Sequence, residues 1–242
     1  MALELNQLLP QETLTQKKPF AICFTGPRPK KLFDYKDRRP YNEMVGYMVP
    51  LLRELADAGC TKFISGGAQG VDQLAFWAVN HVKKTNPNVE NALYLPSPNQ
   101  SDRWARQGMF GQDEYQLMIS KADSVKYISD KPTTSMAEAS KVLTERNHAM
   151  VRDSDLVFAM LHGESLDWPR AKGGTAECVR YAHKQGCNII AVRYQEGPQR
   201  ITTIQNIISP GQNQRNHEPT VHNVSDMRLQ SNTTPSGPSC EF

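Results

Sequence analysis

From Pro19 onward, short apolar runs alternate with longer stretches whose apolar residues recur at helical spacing. Pro19 to Thr25 is apolar and closed by Gly26-Pro27-Arg28-Pro29, which predicts a buried first strand ending in a turn. Tyr41 to Ala58 places Met44, Met48, Leu51, Leu52 and Leu55 on one side and is followed by Gly59, which predicts a helix. Pro50 is expected to kink that helix or to mark its true start. In Lys62 to Asn80, Phe63 and Ile64 suit a strand, Gly66, Gly67 and Gly70 a tight turn, and Leu74, Ala75, Ala78 and Val79 a second helix. Asn91 to Leu95 predicts a third strand. The polar stretch from Asn99 to Ala122, carrying Trp104, Phe110 and Tyr115, predicts a long lid-like loop with one helix over Asp113 to Lys121. Then follow a strand over Ser124 to Ser129, a helix over Met136 to Val151, and the most apolar strand, Leu156 to Leu161. The loop His162 to Lys172, a helix over Ala176 to Gln185 and a last strand, Asn188 to Tyr194, complete the pattern. Alternating strands and helices predict a single α/β domain with a mainly parallel sheet, because each parallel pairing needs a crossover.

The flanks differ. Residues 1–17 are polar with scattered leucines and are read as an N-terminal arm before a domain over 18–195. Residues 196–242 are dominated by Gln, Asn, Ser, Thr, Pro and Gly, and their only aromatic residue is Phe242. Such a tail buries too little apolar area to offset its ordering entropy, so it is expected to be largely disordered. Ile201 to Ile208 retains the character of a short helix or strand that docks. On this basis, removal of everything after about Gly197 is expected to leave thermal stability nearly unchanged.

Composition narrows the classes. The 28 basic and 25 acidic residues give a net charge of +3, too even for binding driven by a nucleic-acid backbone, so nucleic acid is not favoured as a partner. The densest basic patch is Arg28, Lys30, Lys31, Lys36, Arg38 and Arg39, after the first strand, and it suits a small anion equally well. Five cysteines without a Cys-x-x-Cys pair read as reduced thiols of a cytoplasmic protein. No leader and no apolar run of membrane-spanning length stands out, so a soluble protein without membrane contact is expected.

In open parallel sheets ligands bind beyond the carboxyl ends of strands, which singles out Thr25 to Arg28, Ser65 to Asp72, Pro96 to Trp104 and His162 to Glu177. Two of these segments open helices with glycines, Gly66, Gly67 and Gly70 in one and Gly173 and Gly174 in the other. Helix starts cleared of side chains present N–H groups and a positive dipole end to an anion, although either glycine turn also reads as a simple connection. Neither a Walker loop nor Gly-x-Gly-x-x-Gly is present. Arg146 and Met150 lie four apart on one helical face, so the guanidinium can enter a pocket beside the thioether; a solvated arginine is the plainer alternative. His162-Gly163-Glu164 matches half of a zinc-deaminase motif, but no Pro-Cys-x-x-Cys follows; His148 and His183 are expected on helix surfaces, and no metal or other cofactor is expected. A Gly-x-Ser-x-Gly elbow is absent, and Trp104 reads either as a base-stacking residue or as a packing anchor.

Taken together, Thr25-Gly26-Pro27-Arg28-Pro29, Ser65 to Asp72, Arg146 to Met150 and Gly173-Gly174-Thr175-Ala176-Glu177 resemble the SLOG superfamily (SMF/DprA and Lonely Guy), and within it the YpsA-like branch. The resemblance covers Pro19 to Tyr194 and implies a Rossmann-like sheet with helices on both faces, associated with nucleotides and their derivatives. It implies a ligand site over Thr25, Gly26, Arg28, Ser65, Gly66, Gly67, Gly70, Asp72, Gly173, Gly174 and Thr175. The partner it implies is a small-molecule nucleotide or nucleoside phosphate, and a homo-oligomer is compatible with it. An enzyme of this kind would cleave an N-glycosidic bond with Glu177 and Arg146 as its catalytic residues; the alternatives are a non-catalytic nucleotide sensor and a DprA-like mediator that binds nucleic acid. Arg146 and Met150 match the Arg-x-x-x-Met of Lonely Guy enzymes. Aligning Gly174-Thr175 on their Gly-Thr puts Cys178 where the catalytic glutamate stands, while Glu177 comes one residue earlier, about 100° away around a helix. Glu177 fits the Gly-Thr-Ala-Glu of the YpsA-like branch.

Overall fold

The computed structural model describes residues 18–194, 201–207 and 221–223, and for the last two segments the backbone alone. The N-terminal arm and most of the tail lie outside the described residues. In chain order the elements are β1 (Phe20–Thr25), α1 (Arg39–Asp57), β2 (Cys60–Ser65), α2 (Val71–Val82), β3 (Glu90–Leu95), α3 (Gln112–Lys121) and β4 (Ser124–Tyr127). They continue with α4 (Met136–Arg152), β5 (Leu156–Leu161), α5 (Gly174–Lys184), β6 (Asn188–Tyr194), β7 (Ile201–Ile207) and β8 (Val221–Asn223). Short 3-10 turns cover Pro29–Lys31 and Gly163–Asp167.

The sheet order is β4-β3-β2-β1-β5-β6-β7-β8. The first six strands in this order are parallel, and β7 and β8 add antiparallel pairings beyond β6. Alternation along the strands decides which helices cover which face. Ile22, Phe24, Phe63 and Phe158 share one core with α1 and α2, with Phe24 centred 6.0 Å from Phe63 and 5.7 Å from Phe158. Cys23, Ile64, Val157 and Ala159 share the other core with α4 and α5. Leu93 and Leu95 meet α3 through Tyr115 and Met118. The result is a single α/β, Rossmann-like domain with helices on both faces.

Two local features bear on the sequence expectations. Pro50 neither starts nor ends α1, which runs from Arg39 through to Asp57. Gly46 and Pro50 are both exposed, so the carbonyl that loses its N–H partner faces water. The long stretch before α3 is pinned at Phe110, whose ring lies 5.0 Å from Tyr41 in an edge-on contact. Its N–H donates to Glu114 Oε2 at 2.7 Å, and its carbonyl accepts from Gln69 Nε2 at 2.8 Å.

Chain direction sets the site. From β1 the strands proceed through β2 and β3 to β4, and the α4 crossover then returns the chain to the opposite side of β1 as β5. The order therefore reverses between β1 and β5, where Thr25 pairs in register with Ala159, and it is beyond the carboxyl ends at such a switch point that open α/β sheets form their ligand crevice.

Within the tail, Ile201–Ile207 is a strand that pairs with β6 from Ile189 to Tyr194. That pairing changes the expected truncation result, because Ile189, Ile190, Ala191 and Val192 are fully buried and β7 covers their outer edge. Ending the chain after Gly197 should lower the melting temperature by several degrees, whereas ending it after Ser209 should not, as read by calorimetry. Equal melting temperatures for the two truncations would remove β7 from the stable domain.

Candidate functional site

At the rim of the crevice, the glycines differ in what occupies the space a side chain would take. A methyl group on Gly66 would sit 0.9 Å from Arg146 Nη1 and 2.6 Å from Asp72 Oδ2. The absence of a side chain at Gly66 leaves the space that Arg146 Nη1 occupies at the end of β2. At Gly67 the space is taken by Leu95, Tyr115 and Met118, at Gly70 by the Pro27 carbonyl and at Gly26 by Val71. Gly26 and Gly70 let the loop after β1 and the start of α2 approach one another, and Gly67 lets the end of β2 meet β3 and α3. Gly173 and Gly174 differ: among the described residues nothing lies within 4 Å of a methyl group at Gly173, and at Gly174 the only neighbour among them is Asn147 Nδ2 at 3.8 Å.

Arg146 is the centre of the buried chemistry. Only 5 % of it is exposed, and Nη1 donates to Asp72 Oδ2 at 2.7 Å and reaches Met150 Sδ at 3.6 Å. Asp72 is itself 6 % exposed and also accepts from Ala68 N–H at 3.3 Å. Arg146 Nε is shut off from water and has no partner among the described residues, and the Ser65 hydroxyl is in the same state. A guanidinium has five donors, so this one is held at one corner with others to spare. Gln100 Nε2 donates to the Gly66 carbonyl at 3.4 Å, and its Oε1 accepts from the Tyr115 hydroxyl at 3.3 Å, which closes the β3 side.

On the β5 side, α5 begins at Gly174 with Gly173 as its N-cap, in a backbone conformation, φ +114°, that glycine reaches readily. Among the described residues no side chain caps this helix. Its first N–H groups face an exposed corner lined by Asn147 from α4. Thr175 is half-buried beside them. Glu177, in the same first turn, accepts from or shares a proton with His148 Nε2 at 2.6 Å, while its Oε2 is shut off from water with no partner among the described residues. The His148 ring lies flat on Tyr181, 3.7 Å between centroids at 14°. His148 is thus half-buried between α4 and α5, not on an open helix surface, because Tyr181 and Glu177 on the facing helix take up both its ring face and its nitrogen.

Cys178 has no exposure and packs in the core between α5 and the sheet. Burial pushes that thiol up to about 12, so it stays protonated at neutral pH. Arg28 stands exposed at the mouth of the crevice next to Tyr35, whose hydroxyl donates to Gln69 Oε1 at 2.9 Å. The structure thus gathers Gly66, Asp72 and Arg146 into one buried cluster and Gly173, Gly174, Thr175 and Glu177 into another at the start of α5. The sequence reading set His148 on a helix surface and gave no role of their own to Asn147 and Gln100; Asn147 and His148 directly follow Arg146 in the chain, and that adjacency was the available signal. Among the described residues no group of three or more His, Cys, Asp and Glu side chains is placed to hold a metal ion. Among them, too, no helix is long and apolar enough to cross a membrane.

An uncharacterized SPbeta prophage-derived protein, YoqJ of Bacillus subtilis (strain 168), is 32 % identical over 130 residues, 51 % of this chain and 70 % of that protein. A UPF0398 protein of Lysinibacillus sphaericus (strain C3-41) is 26 % identical over 160 residues, 66 % of this chain and 86 % of that protein. The YpsA model, described as the YspA SLOG family, matches residues 22–196, which span β1 to β6 and both clusters of the crevice. The chain belongs to the YspA SLOG family, and its function is of the nucleotide-related kind that this membership supports.

Proposed function

We propose that the crevice binds a nucleoside phosphate without turning it over, with the phosphate at the open N-terminus of α5 and the nucleoside towards Arg146. The observation that supports this most is the start of α5, where among the described residues no side chain caps the helix and nothing occupies the space over Gly173. Helix N–H groups and the dipole end favour an anion there. The start of α2 suits this role less well, because Val71 N–H already donates to the Pro27 carbonyl at 3.4 Å. Binding without turnover is favoured because the residue aligned with the Lonely Guy glutamate is the buried Cys178 thiol, and Glu177 is tied to His148.

N-glycosidic cleavage is the second reading, and the rigid seat of Glu177 favours it. A carboxylate fixed one turn below bound phosphate could stabilise an oxocarbenium-like centre at C1′ or activate water there. The two readings separate on one variant. In a binding protein Glu177→Gln weakens nucleotide affinity by calorimetry, and the unmodified protein releases no free base from nucleoside monophosphates by chromatography. Base release by the unmodified protein that falls by about 10²-fold in Glu177→Gln, at unchanged affinity, would establish the enzyme instead.

A further inference from the structure

We infer that the exposed face of α1 is a self-complementary interface, on which a second copy of this chain packs antiparallel about a two-fold axis. The inference stands apart from the nucleotide reading. Arg39 and Glu43 at one end of α1, Gly46 and Pro50 in the middle, and Arg53 and Asp57 at the other end are all exposed. They recur at helical spacing, so they make one stripe turned away from the sheet.

The middle of the stripe is poorly suited to a helix that meets only water. Glycine and proline are the two residue types least favourable in a helix interior, and beside them Tyr47 is 52 % exposed. Nothing among the described residues lies within 4 Å of a methyl group at Gly46, so packing inside the chain gives that glycine no reason. A helix arriving from outside does, because the distance between two packed helices is set by the side chains at their contact. Pro50 supplies no N–H to the Gly46 carbonyl, which leaves an acceptor on the same strip.

The charges select the occupant. Counted outwards from Met48, Arg39 mirrors Asp57 and Glu43 mirrors Arg53, so each basic position reflects onto an acidic one. An antiparallel copy therefore sets opposite charges together at every one of these positions, whereas a parallel copy would set like on like. The rotation of the helix agrees. At about 100° per residue, Glu43 and Arg53 fall about 40° to opposite sides of the line from Arg39 to Asp57, and a two-fold axis through the middle of that line brings the two offsets onto the same side. Met48 is 1 % exposed and points into the core, so it does not obstruct the axis. Arg39 already pairs with Asp37 at 2.8 Å, and Asp57 accepts from Asn86 Nδ2 at 2.8 Å, so the outer contacts compete with bonds inside the chain. Glu43 with Arg53 is the pair that sets the register.

Sedimentation equilibrium of the full chain tests this, and a reversible monomer–dimer equilibrium is expected. Glu43→Arg alone, or Arg53→Glu alone, places like charges together at two symmetry-related positions and should weaken the dimer about tenfold or more. Mixing these two single variants should restore association as heterodimers, and so should both changes in one chain, because opposite charges then face each other again. Gly46→Leu should abolish the dimer while the dilute protein melts at an equal or higher temperature, since the added bulk meets nothing inside the chain and leucine favours the helix. A chain still monomeric at about 0.1 mM would overturn the inference and leave the face to solvent or to an unlike protein. A dimer equally tight in both single charge variants would overturn it too, by placing the contact on another surface.

Discussion

Arg146→Met is expected to destabilise the protein by about 3–5 kcal/mol, because it leaves the Asp72 carboxylate buried without its counter-charge. Asp72 and Arg146 are 6 % and 5 % exposed, so water cannot replace either partner without opening the domain. The methionine would fill much of the arginine stem's volume, and the loss would therefore report the orphaned charge more than a cavity. Arg146→Met combined with Asp72→Asn should recover a large part of the loss, since neither remaining group is charged. Gly66→Ala should resemble the single arginine variant, because its methyl group would occupy the position of Nη1. Urea unfolding of the four proteins measures all of this; a single Arg146→Met loss under about 1 kcal/mol would show that the pair is solvated in solution.

Gly174→Asp is expected to cost nucleotide affinity more than tenfold, over about 1.4 kcal/mol, with no loss of stability. The glycine is exposed and its Cβ position is open, so the carboxylate would stand in the first turn of α5 where an anion is expected. Acidic side chains at a helix start are themselves stabilising by about 0.3–1 kcal/mol, which makes lower affinity at equal or higher melting temperature the signature of a vacated phosphate site. Gly67→Asp, which looks equivalent in the sequence, is not: its side chain would meet Leu95 at 2.8 Å, and the residue sits at φ +67°, so that variant should misfold before it says anything about ligand. Unchanged affinity in a folded Gly174→Asp protein would remove α5 from the site.

The contrast between Gly67 and Gly174 shows what a sequence can convey about such a crevice. Strands such as Leu156–Leu161 and Asn188–Tyr194 were legible to the residue, because they are buried on both faces and bounded by turn residues. Helix α5 begins two residues before the expected Ala176, since two glycines weaken helical propensity while suiting a helix start at an open corner. A glycine says that a side chain is excluded there, but not what excludes it: Arg146 from α4 at Gly66, the Pro27 carbonyl at Gly70, and open space at Gly173 all leave the same letter. The pairing of His148 with Glu177 was illegible for a related reason. It joins residues 29 positions apart on helices whose rotation is fixed by the sheet beneath them, not by any local pattern.

Helix α5 is phase-locked. Cys178, Val179 and Ala182 are its fully buried residues against the sheet, and turning it by one residue, about 100°, would lift all three out of the core. Installing a glutamate at position 178 would therefore not graft the Lonely Guy carboxylate onto this protein; it would drive a charge into the interior. A one-residue offset between the two motifs can be absorbed only upstream of the helix, in the length of the glycine corner, so converting one arrangement into the other requires an insertion or deletion near Gly173. Point substitutions along α5 explore a single orientation, and it is the span of the preceding loop that decides which residue looks into the crevice.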